Sequence, residues 1–206
     1  MATLPKSLVW QRTDVVGADH ALVDDHRGLY ARGTAVAVDP LPYTCRYELL
    51  TDEAWATARL EVTVEGGGWL RTVRLERATG RWRVTTAEQG DLDKALAGEG
   101  HPAVGLPGTE DPELLAEAVD VDLSASPLFN TLPLRRLGLA GAAEGTARSI
   151  TVAWVRVPSL EVMAAEQTYT VLGPERVRFA SEGFTADVTL DQDGFVVHYP
   201  GLAERR

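Results

Sequence analysis

The 206-residue chain has one cysteine, Cys45. No intramolecular disulfide and no thiolate metal cluster can form, and the usage fits a reducing compartment. Within TCRYEL the thiol reads as a small buried hydrophobe, not a nucleophile. Basic residues are also short: 20 Lys and Arg stand against 30 Asp and Glu, a formal net charge of -10. That balance opposes attraction to phosphate backbones and anionic lipid surfaces, so nucleic acid is not an expected partner. Long apolar runs are missing. The start, MATLPKSLVWQRTD, has no secretory h-region, and no window approaches the roughly 20 apolar residues of a membrane helix. The expectation is a cytoplasmic protein that is not integral to a membrane. A nucleophile elbow, a Walker loop and a zinc-protease helix are absent too, and Gly66-Gly67-Gly68 lacks the Lys and helix of a phosphate cradle. Neither an enzyme nor a cofactor is expected.

With 45% hydrophobic and 24% charged residues, the chain has ordinary globular composition. No linker, solenoid repeat or low-complexity tract divides it, and it reads as one domain over 1–206. Alternation dominates. From Ala54 to Val64 apolar residues fall at every second position, a period that a helix would scramble. Gly66-Gly67-Gly68 and Thr79-Gly80 supply reversals, so residues 54–86 read as an antiparallel meander. LVWQRT, HALVD, LYARGTAVAV and YTCRYELL supply earlier strands. RSITVAWVRV, VMAAEQTYTVL, ERVRFAS, FTADVTL and FVVHYP supply later ones, with Asp193-Gly194 closing the last hairpin. Both faces of RSITVAWVRV are apolar, so something must cover it.

The cover is expected from residues 90–140, where the period changes. EDPELLAEAV offers Asp111 as an N-cap, Pro112 at the first helical position, and Leu114, Leu115 and Ala118 on one face. DLDKALA suggests another short helix, and GEGHPAVGLPGT a loop. Further on, VDVDLSASPLFNTLPLRRLGL puts Asp120 and Asp122 on one side of an apolar knot and Arg135 and Arg136 on the other. Two carboxylates two residues apart on an extended chain point the same way and need a cation nearby. A metal would serve, as would either arginine; no histidine or third acid stands at ligand spacing here. Ser126-Pro127 resembles a helix start with Leu128 and Leu132 facing inward, and Pro133 is expected to end that turn. Asn130 reads either as a polar latch or as a ligand contact.

DVDLSASPLFNTLPLRRLGL is similar to the signature of the bacterial family named "putative glycolipid-binding": DVD, a few residues, then TPFTNTLPIRRL. Asp120, Asp122, Pro127, Asn130, Thr131, Leu132, Pro133, Arg135, Arg136 and Leu137 match it, while Ser126, Leu128, Phe129 and Leu134 differ. Trp10, the Gly80-x-Trp82 step, Asp193-Gly194 and Tyr199-Pro200-Gly201 extend the resemblance over nearly the whole chain. It implies a mainly β fold: a strongly curved antiparallel sheet, or half-barrel, with a few short helices on its concave face. It also implies a glycolipid or other acyl-chain amphiphile as partner.

In such a cleft Trp82, Trp154 and Tyr199 are candidate ligand contacts, with Trp55 and Trp69 as further aromatics that either line it or pack in the core. Asn130, Arg135 and Arg136 are candidates for the head group, the arginines through their planar forks. Alternatively the arginines brace Asp120 and Asp122, with Pro127 and Pro133 shaping the same latch. A protein-interaction module without a small ligand is a second reading. A third is a metal-dependent enzyme using Asp120 and Asp122, or His20, Asp24, Asp25 and His26. His101 and His198 stand alone.

Overall fold

A computed structural model of the protein describes residues 6–109 and 111–206; the first five residues of the start segment, and Glu110 at the head of the predicted helix, lie outside the described ones. Seven strands come first: β1 Lys6–Arg12, β2 Gly17–Asp24, β3 Tyr30–Ala37, β4 Tyr43–Thr51, β5 Thr57–Gly66, β6 Trp69–Ala78 and β7 Arg81–Gly90. Helix α1 (Leu92–Gly98), a 3-10 turn (Pro112–Leu115), β8 (Asp120–Leu123), a second 3-10 turn (Pro127–Asn130) and α2 (Thr131–Arg136) form the middle. The chain ends with β9 Ala147–Val155, β10 Val162–Gly173, β11 Arg176–Ser181, β12 Phe184–Leu190, β13 Val196–Tyr199 and β14 Ala203–Arg205.

All fourteen strands join one curved, open sheet in the order β7-β6-β5-β4-β3-β2-β1-β14-β13-β12-β11-β10-β9-β8. The fold is therefore mainly β, a bent wall that does not close into a barrel. Each half is a meander from an outer edge, and the halves meet where β1 pairs with β14. Neighbours are antiparallel except β8 and β9, which run parallel. The period-two pattern behaves as read: Tyr43, Cys45, Tyr47, Leu49 and Thr51 of β4 are buried while the residues between them are not.

Three local expectations are corrected. Strand β5 starts at Thr57, because the Asp52 carboxylate accepts from the Ala54 and Ala56 amides and holds residues 52–56 in a turn. The segment after Asp111 is a 3-10 turn, capped by Asp111 on the Glu113 amide. It buries Leu115 and Ala118 but leaves Leu114 67% exposed. Pro133 does not end a helix. It is the third residue of α2, where an amide has no partner within the helix, so the ring costs no hydrogen bond. The Asp191–Gly194 loop joins β12 to β13 with the Asp191 carboxylate accepting from Asp193 and Phe195 amides, and the short β14 forms one further pairing beyond it.

The hollow of the first half is filled. Leu92 and Leu96 of α1, Leu115, Ala118, Val121, Leu123, Leu128, Phe129 and Leu132 pack in one core with Trp10, Leu49, Leu60 and Leu75 from the wall. The outer edges are tied to the opposite half by polar contacts. Trp82 of β7 donates to the Ala118 carbonyl at 2.9 Å, Arg71 of β6 to the Ser159 carbonyl at 3.1 Å, and the Val121 amide of β8 to Thr57 at 3.3 Å. Val152 and Ala153 are thus both buried although they point to opposite faces of β9, as its two-sided apolar pattern requires. A second, smaller core joins Leu134 and Leu139 to Tyr169, Phe179, Val188 and Tyr199.

Candidate ligand-binding site

The acidic couplet divides its partners. Asp120, wholly buried, accepts from Arg136 through two nitrogens, Nε to Oδ1 at 2.9 Å and Nη2 to Oδ2 at 2.6 Å. Burial raises its carboxyl above the ordinary range while Arg136 pulls it back. Arg135 takes no part. Its Nη1 donates to the Asp193 carbonyl at 2.6 Å, and its guanidinium lies 4.5 Å over the Trp55 ring. Successive helical residues diverge by about 100°, so only one of the two can face β8.

Asp122 faces the same side as Asp120 but receives no cation. Its Oδ2 accepts from Gln167 Nε2 at 2.6 Å, and burial pushes its carboxyl up to about 6. From there a polar line runs inward. The Tyr169 hydroxyl donates to Gln167 Oε1 at 3.2 Å, and Asn130 Nδ2 donates to that hydroxyl at 3.0 Å. Asn130 thus ties the second 3-10 turn to β10.

Asp122, Asn130 and Gln167 also floor a cavity of about 520 Å³ between segment 122–130 and strands β9 to β13. Trp154, Met163 and Ala165 line it from β9 and β10, Phe179 and Ser181 from β11, Phe184 from β12 and Tyr199 from β13. Strand pairing explains the wall: Trp154 lies opposite Met163, Gln167 opposite Ser181 and Ser181 opposite Phe184, so these side chains share a face. Phe179, Phe184 and Tyr199 stand with ring centroids 6.0 to 6.3 Å apart. Phe184 is 47% exposed at the mouth. The Tyr199 hydroxyl makes no hydrogen bond among the described residues, and burial raises its pKa, with the Asp122 charge adding to the rise.

Of the residues singled out from sequence, Asp122, Asn130, Trp154 and Tyr199 meet at this cavity, whereas Arg135, Arg136 and Trp82 do not line it. Trp55, Trp69 and Trp82 are core residues. Pro127 is buried in the turn after Ser126, whose hydroxyl donates to Asp19 at 2.5 Å in place of capping. The His20 cluster is drawn apart. His20 Nε2 is 3.0 Å from the Ser7 hydroxyl, Asp25 pairs with Lys6, and His26 with Asp24. Among the described residues no group of three His, Cys, Asp or Glu is placed to hold a metal.

Sequence reasoning missed Gln167, Tyr169 and Phe179. The signal was present in VMAAEQTYTVL, where an inward position of an alternating strand carries an amide instead of an apolar residue. It also missed Asp19, buried with its carboxyl pushed up to about 6 by burial, and held by Ser126 and the Tyr47 hydroxyl. The Tyr47 ring crosses Gly33 on the neighbouring strand, where a Cβ would sit 2.0 Å from it. The glycine is what lets it reach Asp19.

Residues 7–205 match the model of a family described as "Putative glycolipid-binding". Among solved structures, the chain is similar to a DUF1089 family protein from Pseudomonas aeruginosa: 25% identity, a TM-score of 0.69, 91% of this chain and 92% of that one covered. No curated protein matches it.

Proposed function

The chain belongs to the family described as "Putative glycolipid-binding", and from that premise and the shape of its cavity we propose that it is a carrier that holds a single amphiphile without transforming it. The tail lies against Trp154, Met163, Phe179 and Phe184, and the hydroxylated head over Asp122, Gln167 and Tyr199. The observation that carries this reading is the pairing of an aromatic wall with a polar floor in a cavity of about 520 Å³, a size ordinary for small-ligand sites (roughly 300–1,000 Å³). Burying an acyl chain there contributes about 0.8 kcal/mol per methylene. Head-group hydroxyls would meet the free oxygen of Asp122 and the unengaged hydroxyl of Tyr199, so the buried polar groups gain partners on binding. Among the described residues no helix is long and apolar enough to cross a membrane. A one-domain carrier working in the cytoplasm is the corresponding proposal for organisation and location.

Mass spectrometry of an organic extract of the purified protein tests the reading. Stoichiometric lipid is expected in the extract, and octyl glucoside should change the Trp154 emission of delipidated protein. A lipid-free extract together with an unchanged emission would overturn the carrier and leave the interaction module standing.

A further inference from the structure

We infer that the head group received by this cavity carries a positive charge: an ammonium on an amphiphile, borne by an amino sugar or by a simple aliphatic amine. This deepens the reading given above and rests on it. Asp122 is the inward acid of the described lining, which holds no Lys, Arg or His; Glu182 is exposed, and Glu166 turns its carboxylate to the other face of β10, where it accepts from the Thr151 hydroxyl. Three arginines of the neighbouring segments are engaged elsewhere. Arg136 is spent on Asp120, Arg135 on the Asp193 carbonyl, and Arg156, stacked 5.7 Å over the Trp154 ring, is held by Glu161 at 3.0 Å.

The contrast between two residues of one strand face carries the argument. Asp120 is wholly buried and Asp122 half-buried at the cavity floor, yet Asp120 has a guanidinium and Asp122 only the neutral amide of Gln167. A carboxylate partly withdrawn from water gains from a counter-charge. Here no cation is supplied from within. One Asp122 oxygen stays unengaged, as does the Tyr199 hydroxyl, and both residues line the cavity. An ammonium, with three donors, would satisfy both and form a charge-assisted bond. At pH 7.5 Asp122, with its carboxyl at about 6, is ionised in the empty cavity.

The test uses four probes with one tail, each below its micellar concentration, titrated calorimetrically into the delipidated full chain at pH 7.5: octylammonium, octyl 2-amino-2-deoxyglucoside, octyl glucoside and octanoate. The better of the two ammonium probes should bind at least about tenfold tighter than octyl glucoside, with octanoate weakest. Which ammonium probe is tighter tells an amino-sugar head from a simple amine. In Asp122→Asn the ratio of ammonium to octyl glucoside affinity should shrink to within about twofold, whatever octyl glucoside itself loses with the carboxylate. Octyl glucoside equal to or tighter than both ammonium probes overturns the charged head and leaves the carrier intact; no binding by any probe overturns both. Should Asp122→Asn fail to fold, Ala165→Phe, which fills the same cavity, replaces it. Ammonium binding that survives the filled cavity is adventitious and overturns the inference.

Discussion

Arg136 clasps Asp120 through two nitrogens across the gap between α2 and β8, while its neighbour Arg135 points away to the loop before β13. The pair thus contains one buried brace and one surface tether. Removing Arg136 leaves a wholly buried carboxylate without a cation. Arg136→Ala should lower stability by about 3–5 kcal/mol, and Arg135→Ala by about 1 kcal/mol through lost stacking and one hydrogen bond. Urea unfolding of both variants checks this; equal losses would remove the distinction.

Leu114 and Leu115 are adjacent, yet one is exposed and the other wholly buried in the core. Leu115→Ala should cost about 2–5 kcal/mol, whereas Leu114→Ser should change stability by no more than about 0.5 kcal/mol. Thermal melts of the two variants suffice. A costly Leu114→Ser would mean that the turn is a full helix with Leu114 packed inward.

Asp19 should make stability rise on acidification. Its folded carboxyl stands at about 6 against an ordinary 3.8, so between these values the folded state binds the proton first. The favourable contribution is complete below about pH 4 and lost as pH climbs through about 6. Two units correspond to roughly 3 kcal/mol. Relative to Asp19→Asn, which keeps the Ser126 and Tyr47 contacts, the parent should gain that amount between pH 7.5 and 4. Urea unfolding of both proteins at the two pH values measures it, and a constant difference would refute the assignment.

Ala165→Phe should occupy the cavity. Octyl glucoside affinity is expected to fall by more than about tenfold while stability changes by no more than about 1–3 kcal/mol, the usual effect of overpacking. Calorimetric titration and a melt of the same sample separate lost binding from lost fold. Undiminished binding would place the ligand elsewhere.

Much of this fold was legible along the chain. The alternating runs gave the strands of both halves, and the two-sided apolar pattern of RSITVAWVRV required the cover that residues 92–132 provide. The signature around Asn130 located the segment that borders the cavity. Less legible were β14, three residues long and too short to show a period, and the turn at residues 52–56, imposed by one carboxylate on two amides.

What the sequence determined by itself is where the chain extends, where it turns and which face of each strand is apolar, because these depend on neighbours two to four residues away. What only the tertiary structure decided is which acid meets which base and where the empty space lies. Arg135 and Arg136 are equivalent in composition and differ in role because α2 presents just one of them to β8. Gln167, Ser181 and Tyr199 share a floor because strands distant in sequence were brought into register, a relationship set by long-range pairing and invisible to any local pattern.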